Sequence, residues 1–176
     1  MSAGRFPGRA AQARHRGPRG GADRTPALRA ARRGVAAKAG GSGQATVSGR
    51  RPPALIQAAK RDLAAARKLL PDLPDRAIFH AQQAAEKLAR AVCEGAGLAV
   101  GRTHDIGQIA SMLPQGHAFK ADLMGFDTLS AAATAWRYPS PVGRFPEMPD
   151  AGWVAGVVGD LAALAPEIAD WLKERR

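Results

Sequence analysis

The sequence predicts an all-α protein: an up-and-down bundle of four to five helices over residues 51–176, preceded by a disordered basic extension over residues 1–50. Three observations lead there. From Pro53 onward, apolar residues recur at steps of three and four between prolines and glycines, the period of one helix face. No alternating Val- and Ile-rich run marks a strand, and aromatic residues make up only 5% of the chain. Composition also changes sharply near residue 50. Residues 1–50 hold eleven of the 26 Lys and Arg against one acid, Asp23, whereas the remainder carries fifteen basic and fourteen acidic residues. The formal charge of +11 is therefore the property of a tail on a nearly neutral domain.

The extension, rich in Gly, Ala, Arg and Pro, lacks the apolar period needed to offset its ordering entropy, so disorder is expected. Three roles stay open for it: an inert or start-site extension, an Arg-rich phosphate contact, or a targeting segment. Helix one is expected over Pro53–Leu70, with Pro in its first turn and Leu55, Ala59, Leu63, Ala66 and Leu70 on one face. The PDLP turn, Pro71–Pro74, ends it. Helix two follows over Asp75–Gly95, with Gly95 and Gly97 as stops. Helix three is short, Asp105–Leu113, capped by Thr103 or Asp105 and closed by Pro114. Helix four spans Phe119–Trp136, ending before Pro139 and Pro141. The fifth begins near Asp150 with the stripe Trp153, Val157, Leu161, Leu164, Ile168 and Trp171, the core-facing pattern of a bundle helix. Pro166 inside it predicts a kink or a break.

No stretch reaches the roughly 18 consecutive apolar residues of a membrane helix, and no secretory apolar region follows the basic start. The single cysteine, Cys93, excludes an internal disulfide and an all-cysteine metal cage. These features lead us to expect a cytoplasmic protein with no membrane partner, no metal and no cofactor.

The stretch FHAQQAAEKLARA, Phe79–Ala91, sets two glutamines and a histidine among small apolar residues. At 100° per residue, Ile78, Ala81, Ala84, Ala85, Leu88, Ala89 and Val92 fill one arc of helix two. Gln82, Gln83, Glu86, Lys87, Arg90 and Glu94 fill the other, with His80 at the border. Phe79 falls among the polar residues. Either a second helix or subunit covers it, or it is a lone aromatic on a solvated face.

HAQQAAEKLARA after a first helix ending in LL, then THDI (Thr103–Ile106), then WRYP (Trp136–Pro139), resembles the HEPN family, in its branch with HAQQAAEK and RYP motifs. The resemblance covers about residues 54–174. It implies a bundle of four or five helices, commonly a homodimer, often paired with a minimal nucleotidyltransferase in two-component, toxin–antitoxin-like modules. Several relatives are metal-independent ribonucleases. Their motif is an arginine, a polar residue and, four to six positions on, a histidine; the arginine stabilises phosphate charge and the histidine moves a proton. Here Arg137 matches, Tyr138 replaces the polar residue and no histidine follows before Arg144. Arginine cannot act as a base at neutral pH.

The chain is therefore expected to be a non-catalytic module that binds a nucleotide, RNA or a protein partner. The alternative is an endoribonuclease toxin with a divergent site, in which Arg137 alone keeps its catalytic role. Candidate nucleotide contacts are Arg137, Tyr138, Arg144, His80, Gln83, Lys87 and His104, and Phe79 is the candidate dimer contact. Tyr138 offers a face for a base, and the two arginines bracket a Pro-rich turn. The plainer alternative has Arg137 paired with an acid such as Glu86 and Tyr138 packed on the bundle. His104 before a helix reads as a capping or loop-packing residue and His117, flanked by Gly116, as a solvated one; His15 lies in the extension. No two of these histidines have ligand spacing within one helix.

Overall fold

A computed structural model describes residues 51–136 and 138–175, except for the side chains of 132–135. The expected disorder of residues 1–50 lies outside the described residues. Helices run over Arg51–Leu69 (α1), Pro74–Gly95 (α2), Ile106–Ser111 (α3), Lys120–Met124 (α4), Thr128–Ala135 (α5) and Ala151–Glu174 (α6), and no strand occurs among the described residues. Arg51 meets Glu94 while Asp62 meets His80 and Lys87, so α1 and α2 run antiparallel. α6 packs on both, and α3 and α5 cover α2.

α2 is the centre of the molecule. All seven residues of its predicted apolar arc are fully buried. The opposite arc is not the solvated face that its composition allowed: Gln82, Glu86, Arg90 and Glu94 are 5–9% exposed. With α1, α3, α5 and α6 around it, α2 has little surface left for water. Its end follows the glycine pattern, but only Gly97 serves the stop. Gly97 has φ +81°, its N–H donates to Glu94 O, and Leu98 N–H donates to Cys93 O, the paired bonds of a Schellman motif. Gly95 is instead a packing position inside the helix, where a Cβ would lie 2.3 Å from Leu172 Cδ2.

Asp105 is the cap of α3; its Oδ1 accepts from Gln108 N–H at 2.7 Å. Thr103 supports it, its Oγ1 accepting from Asp105 N–H. The expected fourth helix is divided into α4 and α5 by a turn at Gly125–Asp127. That turn buries Phe126 and carries the Asp127 carboxylate under α3, where Oδ1 accepts from Gly107 N–H; Ser130 Oγ accepts from Ile106 N–H. These bonds satisfy amide groups at the N-terminus of α3 that have no partner within the helix.

α6 starts at Asp150, whose side chain accepts from Trp153 N–H at 2.6 Å. Val157, Leu161, Leu164 and Ile168 of the predicted stripe are buried, joined by Val154 and Val158, while Trp153 and Trp171 are half-buried at its ends. No break occurs at Pro166. It lies on the exposed side of the helix and leaves Ala162 O without its usual helical donor. α6 is long and apolar enough to cross a bilayer, but its stripe is used on α1 and α2. His117 is not the solvated residue its loop predicted. It is half-buried in a ring cluster with Phe119 and Trp171, and its Nδ1 accepts from Phe119 N–H. Burial, and then the charge of Arg175, push its pKa below the ordinary value.

Candidate functional site

The polar arc of α2 gathers two carboxylates, each shared between a histidine and a longer cation. On one side Asp62, from α1, has Oδ1 at 3.2 Å from His80 Nδ1 and Oδ2 at 2.9 Å from Lys87 Nζ. His80, Gln83 and Lys87 lie three and four residues apart and therefore on one face. Lys87 also donates to Gln83 Oε1 at 3.1 Å, and Gln83 Nε2 donates to Gln82 Oε1 at 2.8 Å. One chain of contacts thus runs from α1 across the face of α2.

On the other side Glu86 Oε1 accepts from Arg90 Nε at 2.9 Å and lies 3.0 Å from His104 Nδ1. Arg90 further donates to the carbonyls of Gly101 and Thr103, fixing the loop that carries His104. The Glu86 and Arg90 side chains are 8% and 11% exposed, whereas that of His104 is 80% exposed. The inner pair is structural, and the histidine offers its outer edge to solvent. Phe79 is half-buried at the N-terminal end of this face, its ring edge-to-face with His80 at 5.4 Å.

The second set of candidates lies in the segment between α5 and α6. Tyr138 is 64% exposed and Phe145 66% exposed. They are the exposed aromatics among the described residues, and Arg144 lies beside Phe145 in the chain and is exposed as well. The segment has fixed internal geometry. Ser140 N–H donates to Arg144 O at 2.7 Å, Arg144 N–H donates to Ser140 Oγ, and Gly143 closes the turn with φ +76°. Trp136 Nε1 donates to Glu147 O at 2.7 Å, tying the two ends together. Arg137 lies outside the described residues.

His80 and Lys87 are thus brought together by Asp62, Gln83 joins them through Lys87, and His104 reaches the same helix through Glu86. Asp62 is the member that sequence reasoning missed. It is an ordinary-looking acid on the flank of an amphipathic helix, and only the register between α1 and α2 gives it a role. Among the described residues no group of three or more His, Cys, Asp or Glu is arranged to hold a metal.

No curated protein and no solved structure matches the chain. A family model, described as HEPN domain, matches residues 53–174. That span contains every described helix apart from the first two residues of α1, and both candidate sets. The chain belongs to the HEPN domain family.

Proposed function

We propose that this HEPN protein is a non-catalytic binding module that takes a nucleotide or single-stranded RNA on the segment between α5 and α6, and works with a minimal nucleotidyltransferase in a two-component system. The observation that carries the reading is the joint exposure of Tyr138 and Phe145 beside Arg144 in a turn of fixed geometry. Aromatic rings stack on bases irrespective of sequence, and arginine pairs with phosphate. Arg137, next to Tyr138 in the chain, adds a second positive charge. No histidine follows Arg137 at the spacing the family's ribonucleases use, which favours binding over cleavage. Phe79, half-buried at the N-terminal end of α2, serves a second copy of the chain in a homodimer. The two-component role rests on family membership.

Calorimetric titration of the full chain with ATP, GTP and a short single-stranded RNA tests the ligand. Heat that saturates with at least one of them and is lost in Tyr138→Ala supports the proposal. Flat traces for all three leave only a protein-binding module.

The second reading, a ribonuclease with a divergent site, is favoured by one observation. His80 is oriented through Nδ1 by Asp62, the arrangement that readies a histidine's other nitrogen for proton transfer. It requires cleavage of RNA without metal, lost in both Arg137→Ala and His80→Ala.

A further inference from the structure

Helix α1 turns a face to solvent whose chemistry differs from that of the helices around it. At 100° per residue, Gln57, Lys60, Arg61, Ala64, Arg67 and Lys68 fall within an arc of about 120°, and all six are exposed. The arc holds four cations, no acid and no large apolar side chain. The one acid of α1, Asp62, is turned away to His80 and Lys87. None of the four cations pairs with an acid among the described residues; the Lys and Arg ion pairs there use Arg51, Arg76, Lys87, Arg90 and Lys173. The near-neutral charge of residues 51–176 is therefore segregated, since α6 carries the acids Asp160, Glu167, Asp170 and Glu174 against Lys173.

We propose that this face of α1 holds the phosphate backbone of single-stranded RNA, which makes the ligand an oligonucleotide rather than a mononucleotide. The occupant follows from what the face has and what it lacks. Protein interfaces are anchored by apolar and aromatic side chains and are poor in lysine, and a helix that lies on a membrane needs an apolar side to insert. Here only Gln57 and Ala64 share the arc with the cations, so a polyanion can come close. Lys60 to Lys68 span about 12 Å at 1.5 Å per residue, a length over which a strand at about 3.4 Å per nucleotide presents about three phosphates. Gly95 near the end of α2 packs on Leu172 near the end of α6, and α6 is buried on α1 and α2 from Val154 to Leu172. α2 and α6 thus run in the same sense, and the start of α6 lies at the Arg67–Lys68 end of α1. The segment that carries Tyr138 and Phe145 leads into that start, so a strand stacked there can continue toward α1. The choice of RNA rests on the proposed role of the α5–α6 segment; the attraction of α1 for a polyanion does not.

The test compares the full chain with a variant carrying Lys60→Gln, Arg61→Gln, Arg67→Gln and Lys68→Gln. Residues 1–50 are common to both chains and cancel in the comparison. The four side chains are exposed, so helical circular dichroism should be unchanged. Binding of a labelled single-stranded RNA of about 12 nucleotides, within the usual range of single-strand site sizes, is measured by anisotropy between about 0.05 and 0.2 M salt, and binding of AMP by calorimetry. About three phosphate contacts at about 0.7 each make a difference of about 2 in the slope of log K against log salt. Over that range the wild-type chain should therefore lose about 20-fold more affinity for the RNA than the variant does, while AMP should not distinguish the two chains. Equal salt slopes overturn the proposal, as does absence of RNA binding or a loss of AMP binding in the variant. Self-association of the wild-type chain at low salt that the variant lacks also overturns it, because the acidic α6 of a second copy would then be the occupant. Tyr138→Ala separates the two claims: if it leaves RNA binding intact while the α1 variant still shows the shallower slope, the α5–α6 reading fails and the α1 face stands.

Discussion

Arg90 shows how a residue that looks solvated in the sequence becomes part of the interior. On a helical wheel it belongs to the polar arc, yet it reaches Glu86 on its own helix and two carbonyls of the loop that follows. Arg90→Met would leave the Glu86 carboxylate buried without its main cation and free the loop. A loss of about 3 kcal/mol is expected, the scale of breaking a buried pair from one side; urea denaturation measures it. Arg90→Lys should restore only part, because one ammonium cannot serve all three acceptors.

His117 gives a pH dependence. Its folded pKa is held below the ordinary 6.5 by burial and by Arg175, so the unfolded chain takes up the proton first as pH falls. This contribution to stability is fully present above pH 6.5 and is lost as pH falls below it toward the folded value. His117→Asn keeps an acceptor near Nδ1 without the charge. Its stability relative to wild type should therefore improve between pH 7.5 and 5.5, as read from urea midpoints. Neither role was legible beforehand: the charge pattern around Arg90 and the glycine beside His117 describe local chain, whereas the partners arrive from elsewhere in the fold.

Among the elements, those with a sustained period were readable and the short ones were not. α1, α2 and α6 appear within a few residues of where their apolar spacing put them, because each buries one long stripe. The division of the fourth helix could not be read from periodicity, since the turn at 125–127 is held by contacts from elsewhere in the chain, among them Gly107 N–H donating to Asp127 Oδ1. Asp127→Ala should cost about 1 kcal/mol, as loss of a helix cap does. Gly107→Ala should cost at least as much, because its Cβ would lie 2.4 Å from Asp127 Oδ1 and expel the same carboxylate. If thermal melts find the double variant no worse than either single one, both changes act through that one bond. At Pro166 only the break is excluded, because α6 runs through it as one helix from Ala151 to Glu174 with the proline on its exposed side.

At the scale of the whole molecule, the all-α class and the HEPN assignment were legible because punctuation, period and the HAQQAAEK, HDI and RYP stretches agree along the chain. The candidate site was legible only as a set of residue types, since the pairings across α1, α2 and the 97–105 loop depend on helix register. The proposed dimer is a property of this scale as well. Burying a Phe side chain is worth roughly 1.5–3 kcal/mol, and in a twofold contact the term occurs twice. Phe79→Glu should turn a dimer of the full chain into a monomer with unchanged helical circular dichroism. A wild-type chain that light scattering finds monomeric at micromolar concentration would remove that part of the account.

The central claim is that the chain binds a nucleotide or single-stranded RNA without cutting it, and for RNA the time course of the fluorescence anisotropy of an end-labelled oligonucleotide, mixed with the full chain in the absence of metal, addresses it directly. The account predicts a rise to a plateau that persists and that is lost in a chain carrying both Tyr138→Ala and Arg144→Ala. An anisotropy that never rises would contradict RNA binding, and one that rises and then decays below that of the free oligonucleotide would show cleavage and contradict the non-catalytic assignment.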